Sequence, residues 1–351
     1  MNDESGFLFD RWIRWPDGAR EHVQVASGGF FYLDGVRGAL VGFDLGTTGL
    51  PRAFWDKTDL EILGRELSYL ESIGVRLIAL DLFYVGKNRE QELYTPILDM
   101  LLRHKMLVFP ALIGKGLPGF ATSGTGSSTA NFVIKLEGCR EDTMGDWVHR
   151  WLDVVTGYRN VVAISVENEL DVPPEGSSYS AVGLIEYLRW LFRTVREKTS
   201  LPLTSKLTAE TNVRLDVKRA VLSLVDFPAV DLYAYDSAAL EQKLDRVALF
   251  LAASGHPSRG WWVAELNGKT EPDPALTWRM DASKLTAAYI DSAFEHGAGV
   301  IILYPMNCVQ QPAAALFDAH GMPTETLLAL ASILHSRPSM RPLPAAWESP
   351  S

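Results

Sequence analysis

Two glutamates of the 351-residue chain stand apart by their surroundings and their spacing. Glu169 falls at the end of "VVAISVENEL", residues 161–170, and Glu265 at the end of "WWVAEL", residues 261–266. Each ends an apolar run. They lie 96 residues apart, three intervals of 32, so a repeating unit of that length would carry them at equivalent positions. Two carboxylates facing each other across a cleft can break a glycosidic bond. One stays ionised to attack the anomeric carbon; the other keeps a proton for the leaving oxygen, and different surroundings separate their pKa values. A gap of about 5–5.5 Å gives retention through a covalent glycosyl-enzyme, whereas roughly 6.5–9.5 Å leaves room for a water and gives inversion.

The elements that must position such a pair show as short β-branched runs alternating with longer amphipathic segments. Runs begin near Ala39, Arg76, Met106, Val161, Pro202, Val230, Trp261 and Gly299, at intervals of 28 to 41 residues with one of 55. A βαβ unit needs about 30. Between them, Met144, Trp147, Val148, Trp151, Leu152, Val155 and Tyr158 form one helical stripe, and Leu184, Leu188, Leu191, Phe192 and Val195 another. Thr58 with Glu61 forms a capping-box pattern at the start of the first helix. An open doubly wound sheet that binds a nucleotide should show GxGxxG after its first strand, and "GFDLGTTGLP" does not. The expectation is therefore a single (β/α)8 barrel over residues 38–340. Residues 1–37 precede it as an extension and a barrel-closing hairpin turning at Asp34-Gly35, and 341–351 follow as a tail. The Gly-, Ser- and Thr-rich segment 114–131 reads as a loop on the C-terminal face, either a cover for substrate or a plain insertion.

In a barrel the ends of the strands converge on one mouth. That brings together Asn168 and Glu169 from strand four, Tyr233 and Tyr235 from strand six, Glu265 from strand seven, and Tyr304 and Asn307 from strand eight. Trp55, Tyr84 and Trp278, in the loops after strands one, two and seven, offer flat faces on which sugar rings stack. Asp81, Lys206, Asn267 and Lys269 join the mouth without an assigned task, and Glu167 reads as a supporting carboxylate. Trp261 and Trp262 are adjacent, so a strand points one into the barrel and the other under the helices.

These residues resemble the clan A glycoside hydrolases, which include the family 5 cellulases and mannanases. Asn168-Glu169 ending strand four and Glu265 ending strand seven carry the specific part of the likeness. "FFYLDGVRGALVGF" and "ALFDAHGMPTETLLAL" are similar to the clan's opening and closing stretches, so the likeness spans nearly the whole chain. The resemblance implies a retaining β-glycosidase acting on glucan or mannan, with Glu169 as acid/base and Glu265 as nucleophile. It also implies that Asn168 meets the substrate 2-hydroxyl and that Tyr235 positions Glu265. The chain departs from the pattern in placing Ala79 where an arginine is usual in strand two, with Arg76 three places early. Tyr233 stands for the usual histidine, Tyr304 for the usual tryptophan, and Leu170 for a proline after Asn-Glu.

Composition narrows the partners. A net charge of -10 and a pI near 5.3 argue against nucleic acid or an anionic membrane surface and suit a neutral carbohydrate. The seven histidines make no HxH or HExxH, and Cys139 and Cys308 supply no metal-ligand spacing; a bridge between those two stays open. There is no GxxxxGKT and no GxSxG, so no cofactor is expected. "MNDESGFLFDRWIRW" has no leader pattern, and no apolar run approaches the roughly 20 residues that span a bilayer. The expected location is the cytoplasm, or outside the cell if a leader has been removed. Two other readings remain: an aldolase or lyase using Lys206 as a Schiff base, and a carbohydrate-binding barrel without turnover.

Overall fold

The structure is a computed structural model, and it describes residues 6–45, 60–83, 88–113, 144–172, 181–210, 213–257, 259–269, 280–306, 312–336 and 340–341. The chain begins with antiparallel strands β1 (Phe7–Arg14), β2 (Arg20–Ala26) and β3 (Phe31–Leu33), which lead into β4 (Val36–Asp44). Strands and helices then alternate: α1 (Leu60–Ser72), β5 (Leu77–Phe83), α2 (Glu90–Arg103), β6 (Leu107–Ile113), α3 (Met144–Val155), β7 (Ile164–Asn168), α4 (Ala181–Lys198), β8 (Leu203–Thr208). They continue through α5 (Leu215–Leu222), β9 (Ala229–Ala234), α6 (Ser237–Ala253), β10 (Trp262–Gly268), α7 (Ala287–Glu295), β11 (Val300–Leu303) and α8 (Glu325–Ser336) to a short β12 (Met340–Arg341). Strands β4 to β11 pair in parallel, each with its neighbours in sequence, and a parallel pairing of β4 with β11 closes the ring. This is the expected (β/α)8 barrel, with its eight strands on the eight apolar runs.

Burial explains the alternation. Every residue of β6 is buried, as suits a strand with the barrel interior on one face and helices on the other. On α3 the residues Met144, Trp147, Val148, Trp151, Leu152 and Val155 form the single buried stripe that their spacing predicts. Helix α6 starts where the side chain of Asp236 accepts from the Ala239 amide. Asp34 and Gly35, both with positive φ, turn β3 into β4, which is the backbone that a two-residue hairpin of this hand requires. The capping pair cannot be followed, because Thr58 lies outside the described residues, as does the 114–131 segment.

The N-terminal part is larger than the one hairpin expected. Strands β1 and β2 form a second hairpin, turning at Pro16-Asp17-Gly18, and extend the antiparallel sheet beneath the barrel. Its seam with the barrel floor is tight. Trp262 at the start of β10 donates from Nε1 to the Gly29 carbonyl (2.7 Å) and packs on Phe31. A Cβ on Gly29 would meet the Gly260 carbonyl at 2.3 Å, and Gly29 has φ +89°, so this contact admits only glycine. Arg76, just before β5, bonds Glu21 of β2 (2.6 Å) and so works at the floor, opposite the mouth. Both tryptophans of the adjacent pair are fully buried; Trp262 is the one inside, against Phe109 and Phe227.

Candidate active site

Glu265 reaches the barrel interior through an irregularity in its strand. The register of β10 shifts between Val263 and Glu265 against β9. Trp262 and Glu265 are three residues apart, and strict alternation would send them to opposite faces. The shift lets both face inward, Trp262 at the floor and Glu265 above it. There the Lys206 ammonium, from β8, donates to Glu265 Oε1 (2.9 Å), Asp81 Oδ1 of β5 (3.0 Å) and Asp44 Oδ2 of β4 (3.1 Å). The Tyr233 hydroxyl of β9 donates to Glu265 Oε2. Both oxygens of Glu265 are thereby held. The tyrosine that meets Glu265 is Tyr233, not Tyr235, because β9 ends at Ala234 and Tyr235 beyond it is 41% exposed.

The end of β7 is irregular as well. Its register slips between Ser165 and Asn168 against β8, and Glu167 and Glu169 have φ of 70° and 46°. Such backbone costs about 1–3 kcal/mol per residue and persists where surrounding contacts enforce it. Here the Glu169 amide donates to the Lys206 carbonyl (2.9 Å), and Val172 N donates back to Glu169 O (3.1 Å). Asp171 anchors the turn by accepting from the Thr208 amide. The kink separates the two glutamates of "VENEL". Glu167 is fully buried and accepts from the Tyr187 hydroxyl of α4, in the helix layer, whereas Glu169 is half-buried at the strand end. Oδ1 of Asn168 is enclosed and accepts no hydrogen bond among the described residues, which leaves an acceptor open beside Glu169.

Too many acids converge here for all to be ionised. Burial, then the neighbouring carboxylates, raise Asp44 and Glu265 to about 7, with Lys206 opposing in both cases. Burial and the charges of Glu265 and Glu169 push Asp231 well above the usual carboxylate range; it is 1% exposed, and among the described residues neither oxygen has a hydrogen-bond partner. Burial works against the charge of Lys206, but Asp44, Asp81, Glu265 and Asp231 outweigh it and hold the ammonium protonated far into the alkaline range. Between pH 4.5 and 7 the folded chain keeps protons on Asp44 and Glu265 that the unfolded chain has released, so their contribution to stability falls as pH rises through that window. The melting temperature is expected to be lower at pH 8 than at pH 5, with a smaller difference in Asp44→Asn. A melting temperature that rises from pH 5 to pH 8 would contradict the assignment.

The other candidates divide. Tyr304, 3% exposed, sits edge-on to Tyr233 with ring centroids 6.3 Å apart, and so belongs to the same cluster. Asn267 is turned to the backbone, donating to the Ala314 carbonyl (3.1 Å) and accepting from the Gly268 amide. Lys269 lies by Glu210 (3.9 Å), which also binds Lys243. Trp55, Tyr84, Trp278 and Asn307, like Cys139 and Cys308, lie outside the described residues. Asp44 and Asp231 were not among the expected mouth residues. Asp44 carried a readable signal, an acid ending the apolar run of the first strand, as Glu265 ends the seventh. Asp231 lies inside its run and carried none.

Asp44, Asp81 and Glu265 bring oxygens within 4.8 Å of one another, the donor spacing of a metal site. Their common cation is the Lys206 ammonium, so the donor set is already matched by a side chain. The same contacts disfavour a Schiff base, since an imine-forming lysine needs a free amine. Among the described residues, no helix is long and apolar enough to cross a membrane.

No family model matches the sequence, and no curated protein matches it either. Solved structures do match by fold. An exo-β-1,4-mannosidase from Opitutaceae bacterium strain TAV5 superposes with a TM-score of 0.62 at 14% identity, over 89% of this chain and 62% of its own. This chain thus spans less than two thirds of that mannosidase. A GH5_18 protein from Bifidobacterium longum subsp. longum, in complex with Manβ1-4GlcNAc, gives 0.64 at 12% identity over 87% and 80%. An endo-1,4-β-mannanase from Rhizomucor miehei gives 0.56 at 11% over 90% and 99%. The (β/α)8 barrel of this chain is the fold on which those glycoside hydrolases are built.

Proposed function

We propose that the protein is a retaining β-glycoside hydrolase acting on a β-linked oligo- or polysaccharide, with mannose- or glucose-containing chains as the first substrates to try. The observation that carries this is the pairing of two glutamates at the mouth. Glu265 is held at both oxygens inside the barrel, and Glu169 is half-buried at the end of β7, near enough for its charge to raise the pKa of Glu265. In this mechanism Glu265 attacks the anomeric carbon as the bond to the leaving oxygen breaks and Glu169 passes its proton to that oxygen. Water then attacks the glycosyl ester, gives its proton to Glu169, and releases Glu265. The mannosidase and mannanase folds among the matching structures support the choice of substrates.

The test is a panel of aryl β-glycosides, mannan, cellulose and short β-1,4-linked oligosaccharides, with the first-formed product followed by proton NMR. The expected first product is the β anomer. An α anomer appearing first would exclude retention, and no cleavage of any member of the panel would remove the glycosidase assignment.

A further inference from the structure

We infer that Lys206 is a positioning residue for Glu265, the built-in cation that fixes one carboxylate oxygen and favours the charged form of that carboxylate, the form that attacks. The inference rests on the proposed glycosidase mechanism and adds a residue whose role neither composition nor the fold matches assign.

The geometry is that of a saturated ammonium. Its three N–H groups meet three carboxylates at 2.9, 3.0 and 3.1 Å, from β10, β5 and β4, while its own strand is β8. It is fully buried, and contacts from three strands keep it from swinging toward substrate. Its job is therefore done through Glu265. The groups facing Glu265 are Asp44 from β4, Asp81 from β5, Glu169 beyond β7, Lys206 from β8, Asp231 and Tyr233 from β9, and Tyr304 through Tyr233. Burial and the acids all favour a proton on Glu265. Among the described residues, the Lys206 charge and the Tyr233 hydrogen bond oppose it, and a protonated glutamate cannot attack an anomeric carbon. Of the two, the ammonium supplies full charge in a site shielded from water, where charge acts most strongly.

The experiment follows the Glu265 carboxyl carbon directly by NMR in protein labelled with 13C at the glutamate carboxyl, with its signal assigned by loss in Glu265→Gln. In Lys206→Met the titration midpoint of Glu265 is expected to rise by about 1–3 pH units, the usual reach of a neighbouring opposite charge. Lys206→Arg should move it less. A folded Lys206→Met with an unchanged midpoint overturns the inference. Should that variant not fold, Asp44→Asn and Asp81→Asn each remove a competing negative charge and are expected to lower the midpoint; no movement in either overturns the inference equally. On a cleaved substrate, the acid limb of kcat/KM should shift with the NMR midpoint. A midpoint that answers to Lys206 with no hydrolysis of any glycoside would leave the positioning role standing and remove the glycosidase proposal. Glu265-dependent hydrolysis with an indifferent midpoint does the reverse.

Discussion

Glu265→Ala is expected to lower hydrolysis by at least about 10⁴-fold, in keeping with the loss of an attacking side chain that acts as part of a unit. The substitution removes both oxygens that Lys206 and Tyr233 hold, and leaves a space beside an ammonium. A small anion should enter it. Added azide is expected to restore part of the rate by attacking from the side Glu265 occupied, producing a glycosyl azide of inverted configuration. The rescue separates loss of the nucleophile from loss of fold, since an unfolded variant cannot be rescued. Wild-type rates in Glu265→Ala would refute the assignment outright, and rescue without the inverted azide product would refute the double displacement.

The largest stability effect is expected at Trp262. Its ring is fully buried at the barrel floor, with centroids of Phe227, Phe109 and Phe31 at 4.5, 5.0 and 5.7 Å, and its Nε1 holds the Gly29 carbonyl. Trp262→Ala opens a cavity among three aromatic rings and orphans a buried carbonyl. Large-to-small changes of this kind cost about 3–5 kcal/mol, a large part of the roughly 5–15 kcal/mol that a folded domain has in total. Trp12 supplies the control. It stacks on His22 on the outer face of β1 and is 61% exposed, so Trp12→Ala should stay within about 0.5 kcal/mol. Urea unfolding of both variants measures the difference. Equal midpoints for the two would show that the hairpin and barrel floor do not share one core.

The barrel was readable because its signals are local. Each of the eight strands is a short apolar run, and helices such as α3 show their buried stripe in the spacing of six residues. The β1–β2 hairpin is equally local, with its Pro16-Asp17-Gly18 turn, yet it lies within the segment that reads as an extension. The site was partly readable. Glu169 and Glu265 stand out because each interrupts an apolar run. Other features depend on how strands sit beside one another. The register shifts in β7 and β10 decide which side chains enter the barrel, and alternation alone would have misdirected Glu167 and Glu265. Tyr235, which the resemblance implies, lies beyond the end of β9, so Tyr233 makes the bond instead. Lys206 meets acids 162, 125 and 59 residues away in sequence, and no pattern within one strand announces such a meeting.

The closure of the barrel sets a timetable for synthesis. Leu40 of β4 pairs with Val300 of β11, about 260 residues later. At the usual rates of chain elongation, β11 emerges roughly 13–50 s after β4 has left the ribosome. Through that interval one edge of an apolar parallel strand waits without its partner. The β3–β4 hairpin, complete within a few residues of chain, gives the nascent strand an early companion along Val36, Arg37 and Gly38, whereas one edge of the stretch from Leu40 to Phe43 stays exposed to wrong pairing until β11 has been made.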